Sequence, residues 1–144
     1  MQIRQANQVF NLKKHPIIKQ DIDPKQRAWI EVKGEAIETN VRELRTKLSK
    51  NCQFMAVVKA DGYGHDAKVV SDYAIKGGAS ELGVATLKEG IKLRSSGVNN
   101  PILVLGNLYT KKDLIIAFKN DLMPTISSLR ECLICNNIGK QFGL

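Results

Sequence analysis

The chain has 144 residues, of which 43% are apolar and 25% charged, with a formal net charge of +8. That is enough for one domain with its own core, in the proportions of an ordinary globular chain. No apolar run is long enough to cross a bilayer, and the leading MQIRQANQVFNLKKHP has no secretory apolar centre.

The positive balance invites a nucleic-acid partner. Against it, the lysines are scattered along helical faces and no aromatic–basic alternation marks a single-strand groove. Part of the excess (Arg4, Lys13, Lys14, Lys19, Lys25, Arg27) sits in the leading segment. Neither a nucleic acid nor a membrane is expected as partner. Cys52, Cys132 and Cys135 form no disulfide framework. Cys132 and Cys135 make a C-x-x-C, but no second Cys/His pair has ligand spacing, so small apolar packing residues in a reducing cytosol are the better reading and no metal is expected.

Residues 1–26 carry Pro16 and Pro24 without periodicity and read as a polar, disordered extension. Ala28–Val32 reads as a short strand holding the one tryptophan, Trp29. Ala36–Lys50 reads as an amphipathic helix whose inner face is Ile37, Val41, Leu44 and Leu48.

Phe54–Val58 is a continuous apolar run, β-branched at its end and too short for a stable helix. It reads as a strand buried on both faces. Lys59 stops it, and Asp61-Gly62-Tyr63-Gly64-His65 follows as a glycine-punctuated loop. Ala67–Lys76 reads as a helix with Val69, Val70, Tyr73 and Ala74 inward, ended by Gly77-Gly78.

Leu82–Ala85 reads as the next strand, then Thr86-Leu87-Lys88-Glu89 as a capping box opening a helix to about Ser95. Ile102–Leu105 reads as a buried strand. Thr110-Lys111-Lys112-Asp113 is a weaker cap of the same kind, before a helix with Leu114, Ile115, Ala117 and Phe118. Leu122–Ile126 reads as a short strand, placed at an end or edge by Pro124. Ser128-Leu129-Arg130-Glu131 is a third capping box, with Leu129, Cys132 and Leu133 inward and Gly139 as terminator. Four strand–loop–helix–turn units in succession argue for a parallel sheet with right-handed crossovers, about half of the eight units a closed barrel needs. A small open four-stranded sheet is the structural alternative.

A lysine at the carboxyl end of a buried strand, opening into a glycine-rich loop, is where an α/β barrel places its chemistry. An amine there can lose its proton more easily and form a Schiff base with a carbonyl ligand or pyridoxal phosphate. The alternative is a solvated surface lysine, and the physics alone does not select the ligand.

The wording AVVKADGYGH (Ala56–His65) resembles the cofactor-lysine segment of the alanine racemase family, whose pattern is close to AVVKANAYGHG. Asp61 and Gly62 stand for the commoner Asn and Ala, and Asp66 for glycine. The resemblance continues through GASELGVATLKEGIKLRSSGV (Gly78–Val98) and PILVLG (Pro101–Gly106), and upstream to RAWIEV (Arg27–Val32).

This resemblance implies a partial (β/α)8 barrel of the pyridoxal-phosphate-dependent fold type III class, preceded by one orphan strand. Residues 27–144 would be an incomplete N-terminal barrel domain, part of a longer protein or of a truncated reading frame. It implies racemisation of L- and D-alanine, supplying D-alanine for the peptidoglycan of the cell wall, in a cytoplasmic homodimer. Lys59 would hold pyridoxal 5'-phosphate and act as one base. Tyr63 would contact its phosphate or line its pocket, and Leu105 would pack beside it. His65 would order the loop. The opposite base would lie beyond residue 144, so the chain alone is expected to be inactive. A non-catalytic carrier of pyridoxal phosphate is the alternative function, and a truncation that does not fold stably is the plainest.

Overall fold

The computed structural model describes residues 30–143. The chain divides at residue 30, and everything below concerns the compact unit from Glu31 onward. The expected extension, with Ala28 and Trp29 of the expected first strand, lies outside the described residues; residues 30–32 carry no regular structure.

The elements are α1 (Gly34–Arg45), β1 (Met55–Val57), α2 (Lys59–Gly64), α3 (Ala67–Gly77), β2 (Glu81–Val84), α4 (Leu87–Ser95), β3 (Ile102–Val104), α5 (Lys111–Lys119), β4 (Met123–Pro124) and α6 (Leu129–Phe142). The four strands form one sheet in chain order, every pair parallel. That is the run of four βα units expected of a partial α/β barrel. None of the described helices is long and apolar enough to cross a membrane.

The period of two along each strand divides the sheet into unlike faces. Leu82, Val84, Ile102 and Val104 point to the helices and are wholly buried, with Leu93, Leu114, Ala117 and Ile138 packed over them. Each such aliphatic side chain contributes about 1.5–3 kcal/mol on burial. The other face carries Met55, Val57, Gly83, Leu103, Leu105 and Met123, and no described helix lies on it. Val57 is therefore 40% exposed, where burial on both faces was expected. An apolar run says that a strand is apolar on both sides; it does not supply the layer that covers the second one.

Two helices differ from their expected form. α1 ends at Arg45 and tightens into i→i−3 turns, Lys47 to Leu44 and Leu48 to Arg45, which takes Leu48 off the inner stripe; Leu44, in the helix's last turn, is exposed as well, while Val41 is buried. Its packing against α3 is set by glycines: a Cβ at Gly77 would lie 2.7 Å from the Glu38 carbonyl oxygen. Arg45 and Arg42 donate to the carbonyls of Gly78 and Lys76, covering the carbonyl end of α3 with positive charge.

α6 turns a different stripe inward than expected. Ile138, with Ile134 and Cys135, joins the core, while Leu129 and Leu133 are 76% and 55% exposed. Both stripes have helical spacing, and only the packing distinguishes them. Gly139 lies within the helix; Gly143, at φ +70°, ends it.

Thr86, Thr110 and Ser128 all cap their helices, but of the two full boxes expected only the first closes. Thr86 and Glu89 close a full box. Thr110 accepts from the Asp113 N–H. Ser128 accepts from the Glu131 N–H, while the Glu131 carboxylate reaches one residue further back, to the Ser127 N–H. β4 is the last strand of the sheet, which places Pro124 at the edge where its missing N–H is harmless.

At the amino-terminal end of the sheet one guanidinium ties two loops together. Arg94 donates to the carbonyls of Val98 and Asn100 (both 2.7 Å), Asn120 (3.2 Å) and Asp121 (2.7 Å). A lysine has no fork with which to reach four carbonyls. Arg94→Lys should destabilise the chain by about 1–3 kcal/mol, measured by urea denaturation with an unchanged m-value.

Candidate active site

The site grows from the end of β1. Val58 is buried and its N–H donates to the Gly83 carbonyl at 2.8 Å, so pairing with β2 continues one residue past the strand. Lys59 follows, half-buried, and on the strand's period falls on the helix-free side with Met55 and Val57. Among the described residues its ammonium meets no charged partner.

The chain then does something the sequence did not announce. Ala60, Asp61, Gly62 and Tyr63 have φ/ψ of 51/47°, 53/47°, 65/35° and 55/40°, a complete left-handed turn where an open loop was expected. L-residues in this conformation each cost roughly 1–2 kcal/mol because Cβ crowds the following carbonyl oxygen. Gly62 escapes that cost. It is also buried, and a Cβ there would lie 2.9 Å from Val70 Cγ2. Ala60, Asp61 and Tyr63 do not escape it, so the surroundings must hold them.

Several bonds do so. The Gly62 N–H donates to the Val58 carbonyl at 3.0 Å. The Ala60 N–H donates to Glu89 Oε1 at 2.8 Å. The other oxygen of that carboxylate, Oε2, accepts from the N–H groups of Ala85 (2.8 Å) and Thr86 (2.9 Å). Asp61 Oδ1 accepts from the Ala67 N–H at 3.3 Å and from Lys92 Nζ at 3.0 Å. His65 Nδ1 donates to the carbonyls of Tyr63 (3.0 Å) and Gly62 (3.2 Å), which fixes the proton on that nitrogen and gives His65 the ordering role expected of it.

Asp66 departs from the glycine usual at its position, and the backbone shows why glycine suits it: φ is +67°. Aspartate is accommodated because its Oδ1 caps α3, accepting from Lys68 N (2.8 Å) and Val69 N (3.1 Å).

Electrostatics follow these bonds. The hydrogen bond from Lys92 holds the Asp61 carboxyl below its ordinary range, and the same bond raises Lys92. Partial burial pushes Glu89 upward, but the N–H groups of Thr86, Ala60 and Ala85 outweigh it and the net shift is downward. Burial raises the Cys135 thiol, away from reactivity. The described residues contain no cluster of metal-ligating side chains.

On the helix-free face, side chains close over Gly83, which is buried. A Cβ built on Gly83 would meet Met55 Sδ at 3.3 Å, Val57 Cγ2 at 3.4 Å and Leu105 Cδ1 at 3.6 Å. The glycine thus lets these three side chains pack down over β2 as a low apolar surface at the carboxyl edge of the sheet. Leu105 extends β3, its N–H donating to the Val84 carbonyl at 2.8 Å, and is 39% exposed. Lys59 and Leu105 therefore stand on either side of β2. Tyr63 is on the left-handed turn and is 59% exposed, and it is not among the residues over Gly83. A cleft of about 240 Å3 is lined by Asp61, Ala67, Lys88, Glu89 and Lys92, none of them among the three side chains over Gly83. Glu89, Lys92, Gly83 and Val57 were not among the expected site residues, although all four lie in the family-like wording and Glu89 also in a capping box.

A parallel sheet of four strands in chain order, with helices packed on one face, is the architecture of a partial α/β barrel. The chain matches the family described as alanine racemase, N-terminal domain, over residues 32–142, and it belongs to that family. It is 54% identical to an alanine racemase of Prochlorococcus marinus over 119 residues, covering 83% of this chain and 31% of that protein. An alanine racemase of Nostoc sp. is 47% identical over 112 residues, 78% of this chain and 29% of that protein. The chain thus spans under a third of the curated relatives it matches. Among solved structures, the alanine racemase of E. faecalis aligns with a TM-score of 0.67 at 35% identity, over 72% of this chain and 28% of that one. The alanine racemase of Bacillus anthracis, solved with bound L-Ala-P, aligns at 0.65 and 34%, over 71% and 27%.

Two outcomes test this geometry. Asp66→Gly should stay within about 0.5 kcal/mol of the parent, because lost capping is offset by relief of the positive φ. Asp66→Ala loses the cap and keeps the strain, and should cost about 1–2 kcal/mol in thermal or urea unfolding. The acid limit follows from the depressed carboxyls. A group whose folded pKa is lowered stabilises fully above its ordinary value and loses that contribution as pH falls through the lowered one. Carboxyl-carbon NMR should therefore show Asp61 and Glu89 titrating below unstructured Asp and Glu, with the turn loosening only in that acid window.

Proposed function

We propose that this chain is the cofactor-lysine portion of a pyridoxal-phosphate-dependent alanine racemase, with Lys59 holding the cofactor through Nζ. One observation carries the reading: the amine-bearing residue stands at the carboxyl end of β1, one residue past the buried Val58, and across β2 from Leu105. The fit is chemical. A flat heteroaromatic ring needs an apolar bed, which the side chains of Met55, Val57 and Leu105 over Gly83 offer. An aldehyde needs an amine free of ion pairs, and among the described residues Lys59 has no ion-pair partner. When bound, the cofactor supplies an electron sink for the charge left at an amino acid's α-carbon after proton removal.

The chain's own residues then have separable tasks. Lys59 Nζ, once released from the cofactor, is the base that takes or returns the α-proton on one face of the substrate. Leu105 and Val57 would shield the ring's flank from water. Tyr63, exposed on the left-handed turn, would contact the phosphate or line the cofactor pocket. Racemisation needs a second base on the opposite face. As the family resemblance implies, that base would come from beyond these residues, across a homodimer interface of the whole protein. Alanine as substrate follows the names of the relatives, one of which is solved with L-Ala-P bound.

The test is attachment. The chain is incubated with pyridoxal 5'-phosphate, reduced with borohydride and mapped by peptide mass. The expected result is a dominant adduct at Lys59 that disappears in Lys59→Arg, without turnover of L-alanine by this chain alone. Labelling spread evenly over the surface lysines would refute the site. Clear turnover would refute the need for a base from elsewhere.

A further inference from the structure

Glu89 does more in this structure than a helix cap requires. A capping box needs its acidic residue to accept from the N-cap N–H, and Oε2 does that at Thr86 while also taking Ala85. Oε1 is left over, and it reaches across 29 positions of sequence to the Ala60 N–H, the first amide after Lys59. One carboxylate thus joins the carboxyl end of β2 to the left-handed turn. The Asp61–Lys92 pair, also from α4, repeats the connection one residue further along. Ala60 is the first residue forced to positive φ, and nothing in its methyl side chain favours that conformation.

We propose that Glu89, seconded by Lys92 through Asp61, is a positioning residue for Lys59: it clamps the left-handed turn to α4 and so fixes the direction in which the lysine leaves the end of β1 on the helix-free side of the sheet. This rests on the reading of Lys59 as the cofactor lysine. The clamp needs both carboxylate oxygens to be acceptors, because N–H groups approach from two sides. Glutamine has one acceptor oxygen and an NH2 in place of the other. A glutamine satisfies a capping box as well as a glutamate does. It cannot serve the box and Ala60 together. Glu89→Gln therefore separates the two roles, since a residue that only caps α4 would be indifferent to it.

The experiment uses the full 144-residue chain and pyridoxal 5'-phosphate as probe, with two readouts. The first is the rate of borohydride-trapped labelling at Lys59, normalised to the exposed Lys111 in the same sample. The second is hydrogen exchange at the Ala60 and Thr86 amides. In Glu89→Gln the Lys59 rate should fall roughly ten-fold, the scale of one lost bond to a charged acceptor. Ala60 should lose protection while Thr86 keeps it. Lys92→Met, which leaves the box intact, should slow Lys59 in the same sense but less. An unchanged Lys59 rate in Glu89→Gln, with the parent still labelling there, overturns the clamp and leaves the functional reading standing. A parent chain that never labels at Lys59 overturns the reading and the positioning role with it.

Discussion

A left-handed turn of four consecutive residues runs against the chirality of the chain, and three of the four have side chains. Such a segment persists where its surroundings over-determine it. Here the determinants are few and can be named: the carboxylate of Glu89, the Asp61–Lys92 pair, the paired carbonyls under His65, and Gly62 where no Cβ fits. The strain lies immediately after Lys59, so the bonds that hold the turn also decide where the lysine emerges.

The sheet explains why an emerging lysine finds a site. Its helical face is sealed by Leu82, Val84, Ile102 and Val104, which make the four units cohere. Its other face is equally apolar but bare of helices, and is lined by Met55, Val57, Leu103, Leu105 and Met123. Gly83 sits at the middle of its carboxyl edge. In a complete barrel such a face is the inner wall, and chemistry gathers at its carboxyl end. Arg94 holds the loops at the opposite end, so stability and chemistry are divided between the two ends of one sheet.

Much of this was legible in the sequence. Four βα units, three of them with threonine or serine caps, their parallel order and the edge position of β4 follow from apolar runs, those caps and Pro124. Lys59, Tyr63 and Leu105 came from the wording around them, and the family that wording resembles is the family the chain belongs to. What stayed hidden needed three dimensions. Leu129 and Leu133 share helical spacing with Ile134 and Ile138, and only contact with the sheet chose between them. Leu48 depended on α1 continuing, which it does not, and Leu44, in its last turn, lies beyond the contact with α3 that buries Val41. KADGYG reads as a loop because no local rule predicts four left-handed residues in a row. The second task of Glu89 is a bond across 29 positions, for which the capping box gave no hint.

The most direct measurement compares Lys59 with itself. Labelling by pyridoxal 5'-phosphate is followed at Lys59 in the folded chain and in the same chain unfolded by urea, each normalised to Lys111. If the fold positions the lysine beside an apolar bed, Lys59 outpaces Lys111 when folded and loses that advantage when unfolded. Equal ratios in the two states would mean that the fold does nothing for this lysine, and that the geometry described here is not a cofactor site.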